Sequence, residues 1–521
     1  GNEPAEGEFY IFNVGRKAYL TGGSDWGTHA ALGYPGLLAT LASNGGGYTV
    51  QFNELIQNDA RDKYLNGSPY VDGANDSKTT YIFEAVGGKS GVYYIKDGDK
   101  YLAFDPNGEV DGGGIKHYNT VTKWDTASNE DAQWMLVTKE NRLAQMDNAS
   151  TANPVDVTVL IRDASFNKYA ALDDPWTDLN QEWGRGERNF GDNNTESYNS
   201  QEYNLSQTIT VPKAGIYEVS VQSFYRDGDL GAHAARVVNG ESLHAPGVLY
   251  AGTQEQPLVY IHEAADKAPG EGTNSDCGNF PNLMDQAASF FQNGLYWNRV
   301  RVTVPSDNSS LTIGIKKTGN DYREKDWIVA DNFRLTYLGP TSESVTVTNA
   351  GYATYCSNHA LDFTNTDIKA YVGTKNGDKL TFTPINQVPA NTGLLLAYEG
   401  GKTEDVPVIA SASAVEGNCL VGVNEETTID GNDYILNKIN DGVGFYKAGS
   451  WTTLGAHKAY IPATVGNGVK GFTIDFDDDA TGIRTLSDSP LKGENIYNLA
   501  GQRLSKTQKG INIVNGKKIL K

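Results

Sequence analysis

A hydrolytic centre needs an activated nucleophile, a caged metal or a pair of carboxylates. His262-Glu263-Ala264-Ala265-Asp266 starts as a zinc-hydrolase helix does, but Asp266 stands where the second histidine belongs, one helical turn on. No Gly-x-Ser-x-Gly elbow occurs, and Cys356, within Tyr355-Cys356-Ser357, lacks a catalytic-thiol sequence around it. Seven histidines are scattered along the chain, and carboxylate pairs among 64 acids carry no information by themselves. No catalytic residue is assigned.

Sugar recognition asks for different chemistry: a flat aromatic ring against the C–H face of a pyranose, with planar polar groups beside it to take hydroxyls in pairs. Trp176, Trp183, Arg185, Glu187, Arg188 and Asn189 fall in one stretch of that composition, and Tyr225, Arg226 and Asp227 stand at the end of an expected strand. Asp25 and Trp26, just past another strand, add a further aromatic and acid. The candidate carbohydrate-binding residues are thus Trp26, Trp176, Trp183, Arg185, Arg188, Tyr225, Arg226 and Asp227. For each aromatic the alternative is packing against a core. A structural calcium would need six to eight oxygens; Asp173, Asp174 and Asp178, or Asp227 and Asp229, could supply some, although neither group has EF-hand spacing and both also read as exposed turn acids.

The elements that must position these residues are strands. Fifty-eight Gly and 29 Tyr, with short Val, Ile, Thr and Tyr runs punctuated by Gly, Asn and Asp, predict an all-β chain of many short strands. Its 521 residues exceed one core and predict three or four. The net charge of -21, from 43 Lys and Arg against 64 Asp and Glu, disfavours nucleic acid and anionic membranes as partners. Three isolated cysteines, Cys277, Cys356 and Cys419, exclude a disulfide framework and a zinc ribbon. No apolar run spans a bilayer and no signal-peptide core stands at the start, so the chain reads as a mature, soluble product, expected to be a monomer.

The first 150 residues repeat. Lys17-Ala18-Tyr19-Leu20, Asp62-Lys63-Tyr64-Leu65 and Asp99-Lys100-Tyr101-Leu102 each open a unit that closes on an aromatic strand: Tyr48 to Phe52, Tyr81 to Phe83, and Gln133 to Leu136. Three such units suit a threefold barrel, and the stretch resembles the ricin-type β-trefoil, with Asp131-Ala132-Gln133-Trp134 approaching that family's closing Gln-x-Trp.

Residues 151–339 follow a polar linker. Alternating strands at 157–161, 207–211, 214–221, 300–304, 311–315 and 332–337 predict a sandwich, with one helix over 282–292 packed on it. Thr195 to Asn199, Gln222 to Gly228 and Trp327 to Leu335 give this segment a resemblance to the galactose-binding-like jelly roll of Bacteroidetes surface proteins, which implies that the opening and closing strands pair and that sugars are bound. Residues 340–480 form a third β module of unknown role. Beyond the acidic run 475–479, residues 481–521 predict two hairpins, the second turning at Asn515-Gly516, and resemble the C-terminal sorting segment of exported Bacteroidetes proteins. Together these likenesses imply a secreted or cell-surface protein that binds glycans or polysaccharide without catalysis. The alternatives are a hydrolase whose site is assembled from distant loops, recognisable by two carboxylates about 5–10 Å apart, and an adhesion scaffold with no ligand.

Overall fold

The computed structural model describes residues 3–23, 28–53, 62–110, 116–166, 175–177, 184–185, 194–199, 202–317, 324–376, 379–439, 442–466, 468–476, 484–485, 496–498, 503–504, 511–514 and 517–520. These form two compact units, Gly1–Gly339 and Pro340–Lys521, built almost wholly from antiparallel β structure.

In the first unit the three aromatic-Leu repeats converge. Leu20, Leu65 and Leu102 are all fully buried in one cluster with Phe52, Tyr81, Phe83 and Trp134. The closing aromatics are tied back to the openings: Trp134 Nε1 donates to the Leu102 carbonyl (2.8 Å), and the Tyr81 hydroxyl to the Asn66 carbonyl (2.7 Å). The second opening is not a regular strand. Tyr64 makes only isolated bridges, to Gln51 and Gly73, because Lys63 sits at φ 63° and turns the chain.

The following residues build two facing sheets. One carries Thr195–Tyr198, Trp327–Tyr337, Gly215–Arg226 and Trp297–Val304 in that order, with Val155–Asp156 paired to the far end of Trp327–Tyr337. The other carries Tyr203–Val211, Ser309–Lys317, Val248–Ala251 and Gln254–Pro257. The strand expected over 157–161 does not form; the opening strand is the short Val155–Asp156 instead. Beyond Asp156 the chain turns into a 3-10 segment, Thr158–Leu160, because the Thr158 hydroxyl donates to Asp156 Oδ2 (2.7 Å) and accepts from the Leu335 amide (3.0 Å). Side-chain bonds of this kind draw a backbone away from a ladder.

The larger sheet is covered on both faces. Tyr217, Val219, Ile328, Phe333 and Leu335 fill the sandwich interior, while Phe224, Trp327 and Val329 pack under the helices Leu230–Asn239 and Met284–Gln292. The second helix begins two residues later than the periodicity predicts and packs as expected, through Ala287, Phe290 and Phe291.

The second unit pairs a four-stranded sheet (Ser342–Val347, Lys402–Ile409, Ala360–Asp362, Gln387–Val388) with a five-stranded one containing Tyr352–Tyr355, Leu394–Ala397, Lys369–Asn376 and Lys379–Ile385. Their shared core includes Val345, Leu361, Phe363 and Leu396. In the tail, Ile511–Val514 and Lys517–Leu520 pair antiparallel, Val514 opposite Lys517, the register that a two-residue turn requires.

Candidate binding cleft

A break in strand register sets up a cavity in the first unit. Between Gly215–Arg226 and Trp327–Tyr337, Ser220 lies opposite Arg334 and Gln222 opposite Asp331, so Asn332 and Phe333 face the single residue Val221. Asn332 adopts φ 54°, a left-handed conformation that asparagine tolerates better than most residues. This bulge changes which side chains share a face. Ala330 and Phe333 stay in the sandwich core, while Asp331, Asn332 and Arg334 all turn toward the N-terminal fold and line a cavity of 230 Å³.

The opposite wall comes from the N-terminal fold, chiefly Tyr34, Leu32, Thr21 and Asn119. Tyr34 is held by a tight loop. Gly36 sits at φ 85°, where a Cβ would come within 2.3 Å of the Tyr19 Cβ, so only glycine fits. Arg142, stacked 3.7 Å over Tyr19, donates to the Pro35 carbonyl (2.6 Å) and to Asp156 Oδ1 (3.2 Å). Ser165 bridges the walls, its single hydroxyl proton shared between the Tyr34 carbonyl (3.2 Å) and Asn332 Oδ1 (3.1 Å). The Tyr34 hydroxyl donates to the Lys17 carbonyl, and burial pushes its pKa up to about 12, so it remains a neutral phenol.

The floor is a chain of amides. Asn332 Nδ2 donates to Gln222 Oε1 (2.8 Å), and Gln222 Nε2 donates to the Phe291 and Leu295 carbonyls (2.7 and 2.9 Å), the former at the end of Met284–Gln292. Above it the Arg334 guanidinium lies between two rings, 4.8 Å from the Tyr34 centroid and 4.7 Å from that of Trp297. Burial lowers the Arg334 pKa from its usual value, yet a guanidinium stays charged at any ordinary pH. The half-buried Trp297 ring borders the same cavity.

No protein-family profile matches the chain, and no curated protein matches it. Among solved structures it is similar to a salivary protein from Culex quiquefasciatus of the Cysteine and Tryptophan-Rich family: 15% identity, TM-score 0.20, covering 26% of this chain and 97% of that one. It is also similar to a Macrolepiota procera ricin B-like lectin solved with lactose, at 14% identity and TM-score 0.19, covering 26% and 96%. A designed threefold-symmetric protein, ThreeFoil, matches at 16% identity and TM-score 0.18, covering 25% and 98%.

The described sequence candidates Trp176, Tyr225, Arg226 and Asp227 do not line this cavity. Trp176 is a core residue, 3% exposed, its ring against Phe166 and Phe333 and its Nε1 donating to the Asp163 carbonyl (3.0 Å). No face of it is open to a pyranose. Tyr225, Arg226 and Asp227 are likewise buried. The Tyr225 hydroxyl donates to Asp326 Oδ2 (2.9 Å), itself paired with Lys317 (3.3 Å). Arg226 donates to the Gly228 carbonyl, Asn282 Oδ1 and the Lys325 carbonyl, and stacks on Trp327. Asp227 Oδ2 accepts from the His244 amide (2.9 Å). Asp229 caps the helix Leu230–Asn239, accepting from the Ala232 amide. Arg185 is placed by its backbone in a short strand with Gly184. Trp26, Trp183, Arg188, Asp173, Asp174 and Asp178 lie outside the described residues.

Among the described residues no group of three or more His, Cys, Asp and Glu side chains is placed to hold a metal, and no helix is long and apolar enough to cross a membrane. His262 is in a 3-10 segment rather than a zinc-binding helix. The Asp227 amide donates to His233 Nδ1, which leaves His233 Nε2 to donate to His262 Nδ1 (3.0 Å).

Proposed function

We propose that this chain binds carbohydrate without cleaving it, as a monomeric secreted or cell-surface protein, and that a sugar ring sits in the cleft between its first two folds. The observation that carries this reading is the pairing, in one 230 Å³ cavity, of the half-buried Trp297 ring with the planar polar groups of Asn119, Asn332, Asp331 and Arg334. Aromatic face plus planar donors and acceptors is the combination a pyranose needs. The volume lies below the roughly 300–1,000 Å³ of pockets for drug-sized ligands, which suits a single ring. Against hydrolysis, Asp331 is the one carboxylate among the described lining residues, whereas glycosidic cleavage uses two.

The reading extends to the chain as a whole: a trefoil-like domain over residues 1–150, a galactose-binding-like jelly roll over 151–339, a β module over 340–480 and a sorting-type tail over 481–521, with any calcium held by Asp173, Asp174 and Asp178. A glycan array probed with the full chain, with and without calcium, tests it. Saturable binding to a defined sugar class that disappears in Trp297→Ala is expected. A blank array at every concentration would instead favour the adhesion scaffold.

A further inference from the structure

We propose that the cleft is selective for uronic acids, the sugar carboxylate pairing with Arg334 and the ring hydroxyls with Asp331 and the neighbouring amides; this rests on the glycan-binding reading above. Arginines near the cleft are already engaged by protein acids. Arg142 pairs with Asp156, and Arg299 and Arg301 both pair with Glu218. Arg334 differs. Among the described residues it makes neither an ion pair nor a hydrogen bond, and its Nε is buried without a partner. Its guanidinium faces the Tyr34 and Trp297 rings and the cavity, while Asp156 and Arg299 act on it only through space, without a hydrogen bond or ion pair.

A guanidinium withdrawn from water with unused donors is stabilised by an anion, and its planar fork matches a carboxylate best. The two rings hold that plane fixed, so little ordering cost remains to be met on binding. A bare anion would satisfy Arg334 but would leave Asp331, on the same strand and lining the same cavity, facing like charge. A uronic acid presents the carboxylate at C6 and hydroxyls around the rest of its ring, so both side chains find a complement. The neutral hexose differs only at C6 and would leave the guanidinium unanswered.

Ligand-observed NMR titration of the full chain with methyl galacturonide against methyl galactoside, and methyl glucuronide against methyl glucoside, tests the inference. At least one uronide is expected to bind roughly tenfold or more tightly than its neutral partner. High salt should erode that preference while sparing neutral binding, Arg334→Gln should abolish it, and Arg334→Lys should restore only part. Should Arg334→Gln fail to fold, the preference and its salt dependence in the unaltered chain decide the matter. Equal binding of the uronide and its neutral partner would overturn the carboxylate assignment and leave the glycan reading standing. If neither pair binds, the uronic acid proposal falls, and a glycan array with the full chain shows separately whether sugar binding falls with it.

Discussion

Arg226 and Arg334 lie on adjacent strands of one sheet, each against a tryptophan and each near an aspartate, yet their surroundings differ completely. Arg226 is 5% exposed and its guanidinium is used up by two backbone carbonyls and Asn282. Arg334 has two rings, a cavity and no hydrogen-bond partner among the described residues. Residue type and spacing are the same in kind at both places; what separates structural from binding chemistry is whether the protein itself satisfies the polar atoms.

The contrast predicts effects of different kinds. The largest falls on the core. Trp176→Ala should cost about 3–5 kcal/mol by emptying the space beside Phe166 and Phe333, with sugar binding intact in the fraction that stays folded; denaturant unfolding followed by titration checks this. Asp326→Ala, which strands the buried Lys317 ammonium, should destabilise by a comparable amount, about 3–5 kcal/mol, seen as a lowered unfolding midpoint.

Acidification should act on the buried region as well. His233 is fully buried, and burial, reinforced by His262, lowers its pKa from 6.5 to about 4. The native state therefore favours the neutral ring. This contribution is complete above the unfolded value near 6.5 and is lost as pH falls toward 4, worth about 3 kcal/mol over that window. His233→Gln should flatten the dependence of unfolding free energy on pH between these limits; an unchanged slope would mean that the pair does not titrate as a buried unit.

At the cleft the order reverses, with small stability changes and large binding changes. Asn119→Ala, at an exposed position on the cavity wall, should leave the melting temperature in place and weaken sugar binding a few-fold, by about 0.5–1.5 kcal/mol for one hydrogen bond. A fall in stability without loss of affinity would place Asn119 in the framework.

The fold was readable because its signals are local. The repeated aromatic-Leu openings put Leu20, Leu65 and Leu102 into one core, and alternation located most sandwich strands. The cleft was not readable for the opposite reason. Tyr34 and Asn119 are far in sequence from Trp297 and Arg334, and Ser165 and Arg142 tie together the two folds that carry them. One trace of it does exist: Asp331-Asn332, two polar residues in succession, separates the apolar run Trp327–Ala330 from the alternating stretch Phe333–Tyr337 of the closing strand, and that interruption is the bulge. Trp176 misled because its neighbours in sequence are polar, although its neighbours in space are Phe166 and Phe333.

The most direct measurement is a parallel titration of the unaltered chain and Trp297→Ala with the strongest glycan from the array, each paired with a thermal unfolding curve. An affinity reduced tenfold or more, roughly the effect of removing a binding hot spot, with the unfolding curve unmoved, is the predicted result. Full affinity in Trp297→Ala would contradict the assignment of the cleft as the sugar site.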